Sequence, residues 1–253
     1  VKISDSLATG RERLPASVHS RYVVLGDPMI PEFRATGESA ETGELDEEVW
    51  DFHQLEWWSR IYEYRWLQDV VRDCFGPILS PAHLGDKVAL DAGCGRKHPS
   101  SFILGEMGFR RVIALDLLPH NPLFERVRMP NVEYRQVDFS EHVPGPVDFL
   151  CCLSVLEHVP QERQPRALEN LCGAVAPGGF LAMTFDLPGF EYETDLEGYK
   201  RILGEQGFVL TEAPTDPSRR LTSRNGPIAH PGWPKVGRME LLCYRLLAQK
   251  EPS

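Results

Sequence analysis

Three aspartates close consecutive apolar runs, and their surroundings limit what they can bind. Asp91 ends KVALD and is followed by Ala92, Gly93, Cys94 and Gly95. Glycines at such a place let the backbone turn sharply and come close to a ligand. A helix after them would present unpaired N–H groups to it. A carboxylate two residues before the first glycine repels a pyrophosphate and suits a cationic ligand. Asp116 ends RVIALD about 20 residues further on, where an acidic side chain holds the hydroxyls of a ribose. Asp138 ends VEYRQVD, and a carboxylate there can accept from an adenine amino group. Carboxylates at successive strand ends lie where open α/β sheets bind ligands.

A second set of residues could move a proton. His158 follows the apolar run VDFLCCLS, and an unperturbed histidine titrates near ~6.5. Asp186 ends FLAMTFD, and His230 lies in a proline-rich stretch. Each has a structural alternative: His158 as a capping histidine, Asp186 as a turn residue before Leu187-Pro188-Gly189, His230 as a surface-loop residue. His53 sits among aromatics and reads as packing.

The elements that position these residues follow from periodicity. From about Asp46 to Phe75 there is no Gly or Pro, and the pattern is helical until Gly76-Pro77 stops it. Trp50, Trp57, Trp58, Tyr62, Tyr64 and Trp66 fall in this stretch. They pack on the core, line a substrate pocket as a lid, or do both. From Lys87 onward strands alternate with helices. KVALDAG, RVIALDL, VEYRQVD, PVDFLCCLS and FLAMTFD read as strands, with helices near residues 100–107 and 165–175 between them. Pro177-Gly178-Gly179 reads as a turn before the fifth strand. A short helix at GYKRILGEQGF precedes two further strands, FVLTEA and RMELLCYRLLA. This alternation predicts an α/β fold with a mostly parallel sheet covered on both faces. The stretch at about 214–237 is long for a connection, and long loops in compact domains are often functional.

The chain of 253 residues has a net charge of −10, 42% hydrophobic and 25% charged residues. That balance suits one sizeable globular domain with a modest extension and disfavours a nucleic-acid backbone as partner. Arg219, Arg220 and Arg224 form a local basic cluster that reads as a solvated loop. No apolar run is long enough to span a bilayer, so no membrane is expected, and residues 1–15 lack the apolar core of a secretory signal. The six cysteines include no C-x-x-C pair. Neither a structural zinc site nor any other metal is therefore expected, and a reducing, cytoplasmic location fits.

Taken together, ALDAGCG, VIALD, VDFSE, VDFLCCLSVLEHV and LCGAVAPGGFLAMTF resemble the motifs of class I S-adenosylmethionine-dependent methyltransferases, over roughly residues 87–248. The resemblance implies a doubly wound, Rossmann-like sheet of seven strands, the last antiparallel. It implies a cofactor-binding domain over 81–253 and an N-terminal, aromatic-rich helical extension over 1–80. The implied cofactor is S-adenosylmethionine. Gly93 and Gly95, with Cys94 and Asp91, would approach its methionine part. Asp116 and Leu117 would meet the ribose side, Asp138 and Phe139 the adenine, and Ser154 and Val155 the region of the sulfonium. Trp57, Trp58, Tyr62, Glu157 and Trp233 would contact a small-molecule acceptor, methylated on oxygen, nitrogen or carbon. The family's motif often has a third glycine where this chain has Lys97.

Two other readings fit the residues less well. A nicotinamide-dependent dehydrogenase would want G-x-G-x-x-G, but His98 stands at the third glycine position and Asp91 precedes the loop. A non-catalytic scaffold with the same fold would not need the three acids. Lysine is scarce among the 27 basic residues and proline abundant, at 21. That fits a GC-rich bacterial genome, and hence secondary metabolism or sugar modification.

Overall fold

The computed structural model describes residues 60–76, 84–95, 99–119, 129–187, 194–211, 221–222 and 240–252. The expectations for Trp50, His53, Trp57, Trp58, Lys97, His98, the arginine cluster, His230 and Trp233 lie outside these residues, as do those for the side chains of Tyr62 and Asp186.

The strands are β1 (Val88–Ala92), β2 (Arg111–Asp116), β3 (Val132–Gln136), β4 (Val147–Leu153), β5 (Val175–Leu187), β6 (Phe208–Leu210), β7 (Leu221–Thr222) and β8 (Glu240–Lys250). They lie in the order β3-β2-β1-β4-β5-β8-β6. The first five are parallel, and β8 runs antiparallel between β5 and β6. This is the expected seven-strand path. The two-residue β7 pairs with the start of β8, inside the stretch where the sequence predicts only loop.

Helices cover both faces. On one, α1 (Arg60–Phe75) and α2 (Pro99–Glu106) bury Leu67, Val70, Phe102 and Ile103 against Val112, Phe149 and Cys151 of the sheet. On the other, α3 (Gln164–Ala174) and α4 (Leu196–Glu205) bury Leu168, Leu171, Ile202 and Leu203 against Leu90, Leu115, Leu150 and Met183. Side chains alternate across a strand, so β4 sends Phe149, Cys151 and Leu153 to one cluster and Leu150 and Cys152 to the other. Burial on both faces is why β1, β2 and β4 read as unbroken apolar runs. The edge strand β3 alternates instead, and Glu133 bridges Arg111 and Arg135 along it, charges that discourage pairing with another sheet.

Helix α1 is docked through its aromatic end. Phe75 meets Phe109, Phe149 and Phe180 edge-on at centroid distances of 5.8, 6.2 and 5.6 Å. The Arg245 guanidinium of β8 lies over Trp66, 5.7 Å from its ring centroid. Gly76, at φ 81°, ends the helix in the left-handed conformation that glycine tolerates best.

Pro177-Gly178-Gly179, expected as a turn before the fifth strand, lies inside it. Val147 pairs with Val175 and Phe149 with Phe180, so β5 carries extra residues between two ladder positions. Gly178, at φ 77°, supplies the local kink. Lys250 of β8 donates to the carbonyls of Cys172 and Val175 at 3.0 and 2.9 Å, placing a cation at the negative end of α3. Among the described residues no helix is long and apolar enough to cross a membrane.

Candidate functional site

The strand order reverses between β1 and β4, and in open α/β sheets ligands bind beyond the carboxyl ends of the strands at such a switch point. Gly93, Cys94 and Gly95 leave β1 there, both glycines at φ 72°. The N–H groups of Gly93 and Cys94 both donate to the Leu115 carbonyl, at 2.8 and 2.9 Å, folding the loop over the end of β2. A Cβ at Gly93 would overlap the Val155 side chain, whereas one at Gly95 would meet nothing within 4 Å. The first glycine thus allows close packing against the loop after β4. The second borders open space.

Asp116 is 9% exposed. Its Oδ2 accepts from the Gly95 N–H at 2.8 Å and its Oδ1 from the Leu118 N–H at 2.9 Å. A carboxylate has about four acceptor positions, so one remains on each oxygen, a pattern that suits a pair of vicinal hydroxyls. Beside it Leu117 and Leu118 are 62% and 51% exposed, an apolar border to the same space.

Asp138 is more fully engaged. Its Oδ1 accepts from the N–H and the hydroxyl of Ser140, at 3.0 and 2.6 Å, and its Oδ2 from Arg163 at 2.8 Å. Burial works against its charge, but these donors outweigh burial and hold its carboxyl below the usual range. One acceptor position on Oδ2 is left, enough for a single amino group. Phe139 is buried in the core with Ile113, Leu115 and Val143. Asn170 of α3 pins the turn by donating to the carbonyls of Phe139 and Ser140, at 3.1 and 2.8 Å.

Asp91 points to the opposite face of β1 from Leu90 and is 1% exposed. Ser100 and Ser101, in the first turn of α2, both turn their hydroxyls to its Oδ2 at 2.6 Å, and the Cys151 thiol approaches its Oδ1 at 3.4 Å. Burial pushes its carboxyl up in spite of these donors. A buried carboxylate needs donors to offset lost hydration, so Asp91 fastens the first turn of α2 to β1. Cys94 and Cys151 are likewise buried, and burial, with Asp91 nearby, raises their thiols well above the ordinary range. Neither is a ready nucleophile.

After β4 the chain turns at Ser154, the one non-glycine residue with positive φ, 50°, among the described residues. A short 3-10 turn, Leu156–His158, follows. His158 is exposed on it. Glu157 is fully buried, on the face where its charge raises the Cys152 and Tyr199 groups behind their own burial. Asp186 pairs with Cys243 across β5 and β8.

Two residues escape the sequence reading. Arg163 precedes α3 and shares Asp138 and Ser140; no local pattern marks it. Glu63 of α1 is fully buried and accepts from the hydroxyls of Ser154, at 2.5 Å, and Thr184. Its signal was an acid in phase with the apolar face of Leu67 and Val70, where a polar residue is out of place.

Residues 89–179 match a family model described as a methyltransferase domain. A ubiquinone biosynthesis O-methyltransferase from Pseudomonas syringae pv. tomato is 34% identical over 134 residues, 49% of this chain and 54% of that protein. A trans-aconitate 2-methyltransferase from Methylobacterium nodulans is 28% identical over 144 residues, 56% of this chain and 52% of that one. The chain thus spans about half the length of the curated relatives it matches. The crystal structure of magnesium protoporphyrin IX methyltransferase from Synechocystis PCC 6803 with bound S-adenosylmethionine aligns with a TM-score of 0.50 at 19% identity, over 76% of this chain and 81% of that one. That likeness is one of fold.

Proposed function

We propose, from the premise that residues 89–179 are a methyltransferase domain, that this protein binds S-adenosylmethionine beyond β1, β2 and β4 and transfers its methyl group to a small-molecule acceptor. The observation that carries the reading is Asp116. Its carboxylate is fixed by the Gly95 and Leu118 N–H groups and keeps one acceptor position on each oxygen for the ribose hydroxyls.

The other residues fit the same ligand. Asp138 keeps one position for the adenine amino group, Leu117 offers an apolar surface beside the ribose, and Gly95 leaves room for the methionine part. When bound, the cofactor supplies an electrophilic methyl on a sulfonium. The chain must then hold the acceptor in line and keep water out. A base is needed only for a hydroxyl or carbon acid. His158, exposed just beyond β4, is the candidate for that role, with Asp186 and His230 as further candidates. Trp57, Trp58, Tyr62 and Trp233 are proposed to enclose the acceptor, which suits the acidic balance of the chain better than a nucleic acid.

The test is a titration of S-adenosylmethionine into the protein, followed by intact-mass analysis of phenolic, carboxylic and amine acceptors incubated with both. Saturable binding and gain of one CH₂ by an acceptor support the reading. Binding without transfer to any of these acceptors, or to those in a cell extract, would favour a scaffold.

A further inference from the structure

The Glu63 carboxylate is the one fully buried acid of α1, and a helix needs no acid on its packed face. Loss of hydration is costly to a carboxylate unless donors replace it; a leucine there would pack without that cost. Its donors are specific. The hydroxyls of Ser154 and Thr184 both reach Oε1, and both residues are buried, at 3% and 0% exposure. Ser154 directly follows β4, and Thr184 of β5 pairs with Leu153, the last residue of β4, at the edge where the sheet meets its ligand.

Ser154 is also strained. At φ 50° it holds a left-handed conformation that non-glycine residues rarely adopt. Its hydroxyl donates to Glu63 and lies 3.4 Å from the Thr184 hydroxyl, and its N–H donates to the Thr184 carbonyl at 3.1 Å, contacts that keep it there. The next residue, Val155, fills the space that a side chain on Gly93 would take. Two residues beyond Gly93, the Gly95 N–H fixes Asp116. A continuous line of contacts therefore runs from α1 through Ser154, Val155 and the glycine loop to Asp116.

We infer that Glu63 is a positioning residue for the cofactor site: through Ser154 it sets the loop after β4 against the glycine loop, so that the docking of helix α1 and the binding of S-adenosylmethionine favour each other. The inference rests on the proposed function. Coupling of this kind is reciprocal. Ligand binding steadies α1, and loosening α1 weakens binding.

Hydrogen exchange with S-adenosylhomocysteine as the probe tests this on the whole chain. In the unaltered protein, saturating probe should slow exchange in residues 60–75 as well as in residues 88–95. In Glu63→Gln, which keeps an acceptor oxygen, part of the α1 response should remain. In Glu63→Ala and in Ser154→Gly, which relieves the backbone strain but removes the hydroxyl, the response in 60–75 should disappear while that in 88–95 persists, with affinity lower by roughly 5- to 20-fold. A merely structural Glu63 would lower protection of α1 equally with and without probe. Probe binding that leaves exchange in 60–75 unchanged in the parent, or an equal response in Ser154→Gly, overturns the coupling and leaves the proposed function standing. No probe binding to the parent overturns both. Ser154→Gly keeps the test decisive if Glu63→Ala does not fold.

Discussion

The backbone N–H of Gly95 donates to Oδ2 of Asp116 across 2.8 Å, tying the loop after β1 to the acid at the end of β2. With the Leu118 N–H on Oδ1 and the Gly93 and Cys94 N–H groups on the Leu115 carbonyl, this bond fixes the glycine loop over the sheet and aims the carboxylate. Asp116→Ala removes both. Hydrogen bonds to a charged group contribute about 1.5–3 kcal/mol each, so loss of the two ribose bonds should lower affinity for S-adenosylmethionine by at least roughly a hundredfold in calorimetric titration. Unaltered affinity would place the ribose elsewhere.

The two loop glycines should fail differently. Gly93→Ala meets left-handed strain of about 1–2 kcal/mol and overlap with Val155, which adds about 1–3 kcal/mol. Its main effect should be on the denaturant midpoint. Gly95→Ala carries the same strain, but its methyl enters open space. Its loss should show mostly as weaker cofactor binding. Equal effects of both on stability would contradict the packing of Gly93 against Val155.

Asp138 sets a pH dependence. Its folded carboxyl lies below its ordinary value: burial raises it, and the donors Ser140 and Arg163 more than compensate. A lowered carboxyl contributes stability above the unfolded pKa, and that contribution is lost as pH falls through the folded value. Arg163→Ala removes one of the donors. The Asp138 carboxyl should then titrate higher in carbon-detected NMR, and acid unfolding should begin at higher pH than in the parent. A downward shift would contradict the ion pair.

His158 separates binding from chemistry. Should the acceptor be a hydroxyl or carbon acid, His158→Ala should lower turnover by about 10²- to 10⁴-fold. Affinity for S-adenosylhomocysteine should stay within about twofold, since His158 is exposed and the proposed cofactor contacts are made by other residues. Unchanged turnover on such an acceptor removes His158 as the base.

Much of this was legible in the sequence because the strands carry it locally. Apolar runs ending in Asp91 and Asp116 mark strands buried on both faces, and the glycines mark the turn. Pro177-Gly178-Gly179 misled for a physical reason: residues that favour a turn equally permit a bulge, and only the pairing of β4 with β5 decides between them. Asp91 was legible as a strand-end acid, but its engagement by Ser100 and Ser101 depends on how α2 returns to β1. Glu63 lies 91 residues from Ser154 and 121 from Thr184. No local pattern carries a contact of that range. Arg163 was invisible for the same reason, its partner lying 25 residues earlier in the chain, beyond β4.

The most direct measurement is a calorimetric titration of the intact chain with S-adenosylmethionine, repeated with Asp116→Ala. The account predicts a saturable single-site isotherm for the parent and one weaker by at least roughly a hundredfold for the variant. No heat of binding from the parent at millimolar ligand would contradict it.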